Sequence, residues 1–224
     1  MSSSIDDLTV LPRCSEEVVI LRRDSEFLIV NKPSRLLTVP GRHPQNNDSV
    51  IVRLQMIYPV AAIVHRLDFD TSGILVIPLH KGSLSHISKQ FQARTVHKTY
   101  TAVVNGLMKD DKGVIDLPIA ADMENRPKYK ICAKTGKSSV TEFKVLSRDE
   151  VAQTTRILLH PITGRSHQLR LHLQAIGHPI LGCEFYGDEM TLKKSSRLLL
   201  HATELEFKHP KTGRAVKEIC EPNF

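Results

Sequence analysis

Residues 63–78 have the sequence IVHRLDFDTSGILVIP, in which a short polar loop leads directly into an apolar run. From Ile74 to Ile77 this run shows no alternation of apolar and polar residues, which is typical of a strand covered on both faces. The loop before it carries two carboxylates, Asp68 and Asp70, together with a histidine and an arginine. Because a loop that ends on a buried strand has a rigid support, it is a favourable place for catalytic groups.

The two acids also have structural interpretations. Asp side chains commonly cap turns ahead of a strand or helix, and for an isolated Asp on a polar loop this is the more common use. Residues 70–73 are also similar to the Asp-Thr/Ser-Gly motif of aspartic proteases with one residue inserted, but a single copy would require a homodimer. Spacing alone does not select Asp68 over Asp70.

Length and composition indicate a folded protein without a membrane span. The chain has 224 residues, with 41% hydrophobic and 25% charged residues, which is ordinary for a domain with a substantial core. No apolar run approaches the length of a transmembrane helix, and the start of the chain lacks the features of a signal peptide. The four cysteines are far apart, which predicts reduced thiols in the cytoplasm and argues against a zinc site.

The charge favours a polyanionic partner. The formal net charge is +7, and residues 125–141 contain no acid. Basic residues surround Tyr129 in this segment, a pattern that suits a surface gripping a nucleic-acid backbone and stacking a base. A solvated loop with extra basic residues explains the segment equally well. The basic residues are Arg126, Lys128, Lys130, Lys134 and Lys137.

Hydrophobic periodicity and turn residues predict an α+β fold with a mixed, mostly antiparallel sheet flanked by helices and loops. Residues 1–16 are predicted to form a loose tail. Helices are predicted from a cap at Asp48 or Ser49 to Ile57, and over residues 83–94, with Gln90 on the outer face. Strands are predicted over residues 18–21, 27–30, 74–77, 98–104, 114–117, 140–146, 154–159, 198–207 and 215–219.

A second informative stretch, TGRSHQLR, occupies residues 163–170. Ser166 is a good N-cap for a helix whose apolar positions include Leu169, and Gly177 ends that helix. Arg165 would then stand on a turn just ahead of a helix N-terminus.

Two further patterns are weaker. Residues 135–138 are similar to the end of a P-loop, but Ile131 stands where that motif needs glycine, and a strand-like sequence follows. Among the 11 histidines, His167 and His172 are five residues apart and face away from each other on a helix. The sequence therefore predicts no P-loop and no metal site.

The motif His-Arg-Leu-Asp-x-x-Thr-Ser-Gly at residues 65–73 resembles the signature of the RluA family of pseudouridine synthases. Further motifs follow in the family's order, and the resemblance covers the chain from about residue 17. It implies one pseudouridine synthase catalytic domain over residues 17–224, without a separate N-terminal RNA-binding domain. The further motifs that match the family are Val30-Asn31-Lys32-Pro33, Lys98-x-Tyr100, residues 125–128 with 135–137, and residues 163–170.

The resemblance implies an enzyme that isomerises uridine in RNA to pseudouridine without a cofactor or metal. By likeness to the family, Asp68 is the nucleophile, and Arg165 pairs with it and keeps it ionised. Tyr100 stacks on the target uracil, although it could also be an ordinary half-buried strand residue.

The same resemblance suggests RNA contacts. A target base must leave its stack, and Arg66 would fill the vacated space. Leu169 would line the base pocket, although its helical spacing also fits a core residue. His65, His167 and the basic residues of the 125–141 segment would contact the RNA.

Likeness to the short members of the family implies two substrates, a 23S rRNA hairpin loop and the anticodon stem-loop of some tRNAs. The protein is expected to be a monomer in the cytoplasm. Three alternatives stay open: a synthase with one substrate, a catalytically silent RNA-binding protein, and a hydrolase that uses Asp68 and Asp70 as a carboxylate pair.

Overall fold

The computed structural model describes residues 9–224. Its helices and strands are, in chain order, β1 (Val19–Arg23), β2 (Phe27–Lys32), α1 (Val50–Gln55), β3 (Ser72–Pro78), α2 (Lys81–Gln92), β4 (His97–Asn105), β5 (Lys112–Asp116), β6 (Ile119–Ala121), β7 (Tyr129–Ile131), β8 (Val140–Asp149), β9 (Thr154–Pro161), α3 (Gln168–Ala175), α4 (Glu189–Lys193), β10 (Leu200–Lys208) and β11 (Ala215–Ile219). By their contacts, the described residues fall into a first unit, 9–97 with 204–221, and a second unit, 98–203 with 222–224.

In the first unit, β2 lies between β1 and β3 and is antiparallel to both. Val30 of β2 is opposite Leu75 of β3, and every residue of β3 is buried, as its unbroken apolar run predicts. The end of β10 pairs antiparallel with β11. The core of this unit is made by Phe27, Ile29, Ile74, Val76, Ile87, Val96, Leu205, Phe207 and Val216.

In the second unit, four strands are hydrogen-bonded in the order β4-β9-β8-β5, each antiparallel to its neighbours. β6 and β7 form a separate antiparallel hairpin. Helix α3 supplies Leu169 and Leu173 to a core that also contains Ala102, Val104, Phe143, Ile157, Leu159, Ile180 and Leu200. Both units therefore have the predicted α+β character with antiparallel strand pairs.

Each predicted strand is present, whereas β6, β7 and α4 were not predicted. Several helix details were wrong. Ser49 caps α1 as expected, but the helix ends at Gln55 and Ile57 is 71% exposed. Gln90, expected on the outer face of α2, is buried: its amide donates to the Lys208 carbonyl at 2.8 Å and accepts from the Lys208 N–H at 2.7 Å.

The predicted N-terminal tail is only partly described. Residues 9–16 form no helix or strand, yet the Asn46 amide binds the Leu11 N–H and the Thr9 carbonyl. The Arg53 guanidinium donates to the carbonyls of Cys14 and Glu16. This part of the segment is therefore held against the first unit, and residues 1–8 lie outside the described residues.

Candidate active site

The loop that carries Asp68 belongs to the first unit, and its backbone is fixed on both sides of that residue. On the preceding side, the buried Thr38 hydroxyl donates to the Leu67 carbonyl at 2.9 Å and accepts from the Leu67 N–H at 3.2 Å. One side chain thus satisfies both backbone groups of the residue before Asp68.

On the following side, Lys32 is fully buried and its ammonium binds three carbonyl oxygens. The distances are 2.8 Å to Pro33, 2.7 Å to Leu36 and 3.0 Å to Phe69. The Ser34 hydroxyl donates to the Asp70 carbonyl at 2.7 Å. These contacts connect the loop to the segment after β2, so Asp68 sits on a fully tethered backbone.

Asp68 itself is half-buried, and its carbonyl accepts the Thr71 N–H at 3.2 Å to close a turn. Gly73 follows with a φ of 116°, a conformation that side chains with a Cβ rarely adopt. The glycine of the motif is therefore required by the backbone path from the Asp68 turn into β3.

His65 and Arg66 precede Asp68 and differ in exposure. His65 Nε2 accepts the Val76 N–H at 3.1 Å, and its ring stacks on Phe91 with centroids 4.5 Å apart. These contacts give His65 a structural function, and its contact with RNA stays a prediction. Arg66 is exposed, and its insertion into the RNA stays a prediction.

In the second unit, Arg165 lies on the turn before α3, and a buried glutamine holds that turn. Gln168 Oε1 accepts from the Thr163 hydroxyl at 2.7 Å and from the Arg165 N–H at 3.0 Å. Its Nε2 donates to the Val140 carbonyl at 3.0 Å and to the Thr141 hydroxyl at 2.9 Å. Sequence reasoning missed Gln168 as a site residue, although it lies within the quoted motif.

The predicted Ser166 cap was wrong. The residue at the N-cap position is His167, which has a left-handed φ of 56° and makes no side-chain cap hydrogen bond. The Gln168 side chain binds the backbone of the turn instead. The Arg165 guanidinium is directed towards Ser138, whose carbonyl accepts from Nε at 3.3 Å.

Tyr100 and Leu169 lie on β4 and α3 of the same unit. Tyr100 is half-buried and packs against the core, and Leu169 is 6% exposed within it. Both positions are compatible with one edge of a base pocket and equally with ordinary core packing, so their predicted functions stay predictions.

An aromatic cluster lies beside the turn that carries Arg165. The His167 ring contacts the rings of Tyr129, Phe185 and Tyr186 at centroid distances of 5.4, 5.5 and 5.5 Å. The Tyr186 hydroxyl binds His167 Nδ1 at 2.6 Å and accepts the Tyr129 N–H at 2.9 Å. Tyr129 was expected to be available for base stacking, but its ring packs on His167 and connects the β6–β7 hairpin to the start of α3.

The basic segment extends from the β6–β7 hairpin to the start of β8. All five of its basic residues (Arg126, Lys128, Lys130, Lys134 and Lys137) are exposed. Lys130 is paired with Asp122 at 3.2 Å, which offsets part of the positive charge. Hydrogen bonds from Thr135 and nearby backbone N–H groups lower the pKa of the Cys132 thiol to about 7.

The rejection of the P-loop is confirmed, since residues 135–138 lead into strand β8 and not into a helix. A Cβ at Gly136 would collide with the Cys132 carbonyl and with Pro118, so this glycine serves a close backbone approach. Among residues 9–224, no helix is long and apolar enough to cross a bilayer.

Comparison with known proteins agrees with the motifs. The sequence model of the RNA pseudouridylate synthase family matches residues 26–175. A protein of Yersinia pestis named dual-specificity RNA pseudouridine synthase RluA is 49% identical over 207 residues, covering 92% of this chain and 100% of that protein. The protein of the same name from Escherichia coli K12 is 46% identical over 207 residues, covering 92% and 94%.

A solved structure shows the same fold. Human RNA pseudouridylate synthase domain containing 1 superposes with a TM-score of 0.80 at 30% identity, covering 95% of this chain and 86% of that one. The predicted fold class and enzyme class are confirmed by these similarities. Because the family model spans more than half of the chain and relatives match nearly all of it, the chain belongs to the RluA family of RNA pseudouridine synthases.

Proposed function

We propose that this RNA pseudouridine synthase modifies two kinds of substrate, a hairpin loop of 23S rRNA and the anticodon stem-loop of some tRNAs. Support comes from two relatives, 49% and 46% identical, that are named dual-specificity enzymes. The enzyme is proposed to act as a monomer in the cytoplasm.

The reaction exchanges one bond for another. The bond between N1 of uracil and C1′ of the ribose breaks, the uracil rotates, and a bond forms between C5 and C1′. The C5 hydrogen leaves as a proton and N1 gains one, so substrate and product are isomers. The net reaction therefore needs no redox partner and no energy source.

Asp68 is proposed as the nucleophile. The observation that carries this proposal is the tethered loop, in which Thr38 and Lys32 fix the backbone on the two sides of Asp68. A carboxylate held in this way loses little freedom on reaching the transition state. The pairing of Arg165 with Asp68 and the stacking of Tyr100 on the uracil rest on the family resemblance.

RNA binding is proposed for the exposed Arg66, which would fill the stack left by the flipped uridine, and for the basic segment, which would bind the RNA backbone. Leu169 would line the base pocket, and His65 and His167 would contact the RNA.

To test the proposed function, the purified protein is incubated, without added metal, with a tRNA anticodon stem-loop and with an rRNA hairpin. Pseudouridine is then mapped in both RNAs. Product in both RNAs supports two substrates, and product in one identifies a synthase with a single substrate. Release of free uracil would favour the hydrolase that uses Asp68 and Asp70, and binding without product would favour a silent RNA-binding protein.

A further inference from the structure

Lys98 lies at the start of β4, two residues before Tyr100. Residues two apart on a strand face the same side of the sheet, so Lys98 shares a face with Tyr100 and with Ala102 and Val104 of the core. The side chain therefore leaves the sheet at the edge of the apolar core, next to the tyrosine that is proposed to stack on the target base.

The ammonium of Lys98 lies against the turn before α3. A Cβ placed on Gly164 would be 3.7 Å from Lys98 Nζ. Gly164 immediately precedes Arg165, whose backbone Gln168 holds in place. The Lys98 ammonium thus lies beside the turn that carries Arg165, the proposed catalytic cation.

This ammonium is partly buried without a counter-charge. Within the second unit, Lys98 Nζ has no hydrogen-bond acceptor and no carboxylate partner, whereas Lys130 of the basic segment is paired with Asp122. Burial lowers the pKa of Lys98 from its usual range. Because removing a charge from water is unfavourable, a lysine in such a place is best explained by a ligand that supplies the opposite charge.

We propose that Lys98 binds a phosphate of the RNA adjacent to the target uridine. This inference rests on the proposed function, since RNA carries its negative charge on phosphodiester groups. A lysine suits this task because its ammonium acts as a compact point charge that can rotate to meet a phosphate oxygen.

The test combines protein variants with chemically modified RNA. Wild-type protein and the variants Lys98→Met and Lys98→Arg are titrated with hairpins in which one phosphate at a time is replaced by an uncharged methylphosphonate. At one phosphate next to the target uridine, the replacement is expected to weaken wild-type binding roughly tenfold, as for a charge-assisted hydrogen bond. The same replacement should change the affinity of Lys98→Met less than about twofold, because the partner charge is already absent.

The salt dependence and the stability give independent readouts. Lys98→Met should reduce the slope of log affinity against log salt by roughly 0.7, one phosphate contact, and Lys98→Arg should keep the slope. The midpoint of thermal unfolding of Lys98→Met should equal or exceed that of the wild type, because a desolvated charge is removed. The matched control is Lys144→Met, since Lys144 is exposed on β8 next to the core residue Phe143.

The inference is overturned if replacing any single phosphate affects wild type and Lys98→Met equally. It is also overturned if Lys98→Met lowers turnover while RNA affinity and salt slope stay unchanged, because the ammonium would then act on the target base and not on a phosphate. A lower unfolding midpoint without any coupling would make Lys98 a structural residue. Wild-type product from the unmodified RNAs is measured in parallel. If wild-type protein forms no product, the proposed substrates fail, whereas product without coupling refutes only the Lys98 inference.

Discussion

Thr38 and Lys32 hold the backbone on each side of Asp68, so a change confined to the Asp68 carboxylate should leave the loop intact. Asp68→Asn keeps the size of the side chain and removes its charge. We expect product formation to fall roughly a thousandfold or more, as for loss of a nucleophile. RNA affinity should stay within a few-fold of the wild type. The measurement is single-turnover pseudouridine formation together with a binding titration.

Asp70→Asn is the matched control, because Asp70 lies on the same loop, and this variant should keep most of the activity. A normal rate in Asp68→Asn would exclude Asp68 as the nucleophile. Loss of activity in Asp70→Asn as well as in Asp68→Asn would show that both carboxylates are required, as the hydrolase alternative demands.

Gln168 offers a second test at the scale of one residue. Its amide binds groups on both sides of the Arg165 turn, including the Arg165 N–H and the Val140 carbonyl. Gln168→Met should lower the free energy of unfolding by at least about 2 kcal/mol, because buried polar groups lose their partners. At a temperature where the variant is folded, kcat should fall more than RNA affinity, since Arg165 is no longer held.

The control is Gln174→Met, which changes an exposed glutamine on the same helix and should alter neither quantity. If Gln168→Met kept full kcat despite lower stability, the glutamine would stabilise the fold without positioning Arg165.

The residues that sequence reasoning missed share a physical reason. Lys32 and Gln168 both lie inside recognised motifs, and their types alone favour exposure. Each is buried because polar groups from separate segments converge on it. These groups include the Phe69 carbonyl for Lys32 and the Val140 carbonyl for Gln168. Such convergence depends on tertiary structure, which no local pattern contains.

At the scale of elements, strands with strong hydrophobic periodicity were predicted correctly, whereas the short strands β6 and β7 were not predicted. The apolar run of β3 and the long strand β4 appear where the sequence places them, because their side-chain pattern and the pairing of the sheet agree. β6 and β7 have three residues each and are stabilised as a hairpin joined through Tyr129 to Tyr186. Ser166 does not cap α3, because the Gln168 side chain binds the backbone of the turn.

The prediction at the scale of elements concerns the β6–β7 hairpin. Lys128 is exposed on it and stands in the basic segment. If the hairpin binds the RNA backbone, Lys128→Glu should weaken RNA affinity severalfold and reduce the salt slope of binding. Stability should change little, because the residue is exposed.

Lys112→Glu on β5 is the charge-matched control, since Lys112 is exposed on a different strand of the second unit. Equal losses in both variants would indicate a general effect of net charge, and unchanged affinity in Lys128→Glu would remove the hairpin from the RNA-binding surface.

At the scale of the whole molecule, the sequence predicted the reaction better than the substrate. The motifs that contain Asp68 and Arg165 identify the family, and the family determines the reaction. RNA specificity depends on loop shape and on contacts scattered over the surface. A net charge of +7 attracts every RNA alike and selects none.

Global stability should also respond to one buried histidine. His172 on α3 is fully buried; it bonds to the Thr141 hydroxyl at 2.9 Å through Nδ1 and to the Leu117 carbonyl at 3.0 Å through Nε2. Burial lowers the pKa of His172. The folded protein therefore keeps this ring neutral at a pH where the unfolded chain, with a pKa near 6.5, already binds a proton.

Since the unfolded state binds more protons, the stability contributed by neutral His172 is present above about pH 6.5 and is lost as the pH falls towards the folded pKa, with a slope of at most about 1.4 kcal/mol per pH unit. His172→Gln keeps one donor and one acceptor but cannot titrate, so its thermal midpoint should fall less between pH 7.5 and pH 5 than that of the wild type. His97→Gln, at an exposed site, is the control and should follow the wild type. If His172→Gln and wild type lost stability in parallel, the acid sensitivity would come from other groups and not from this buried ring.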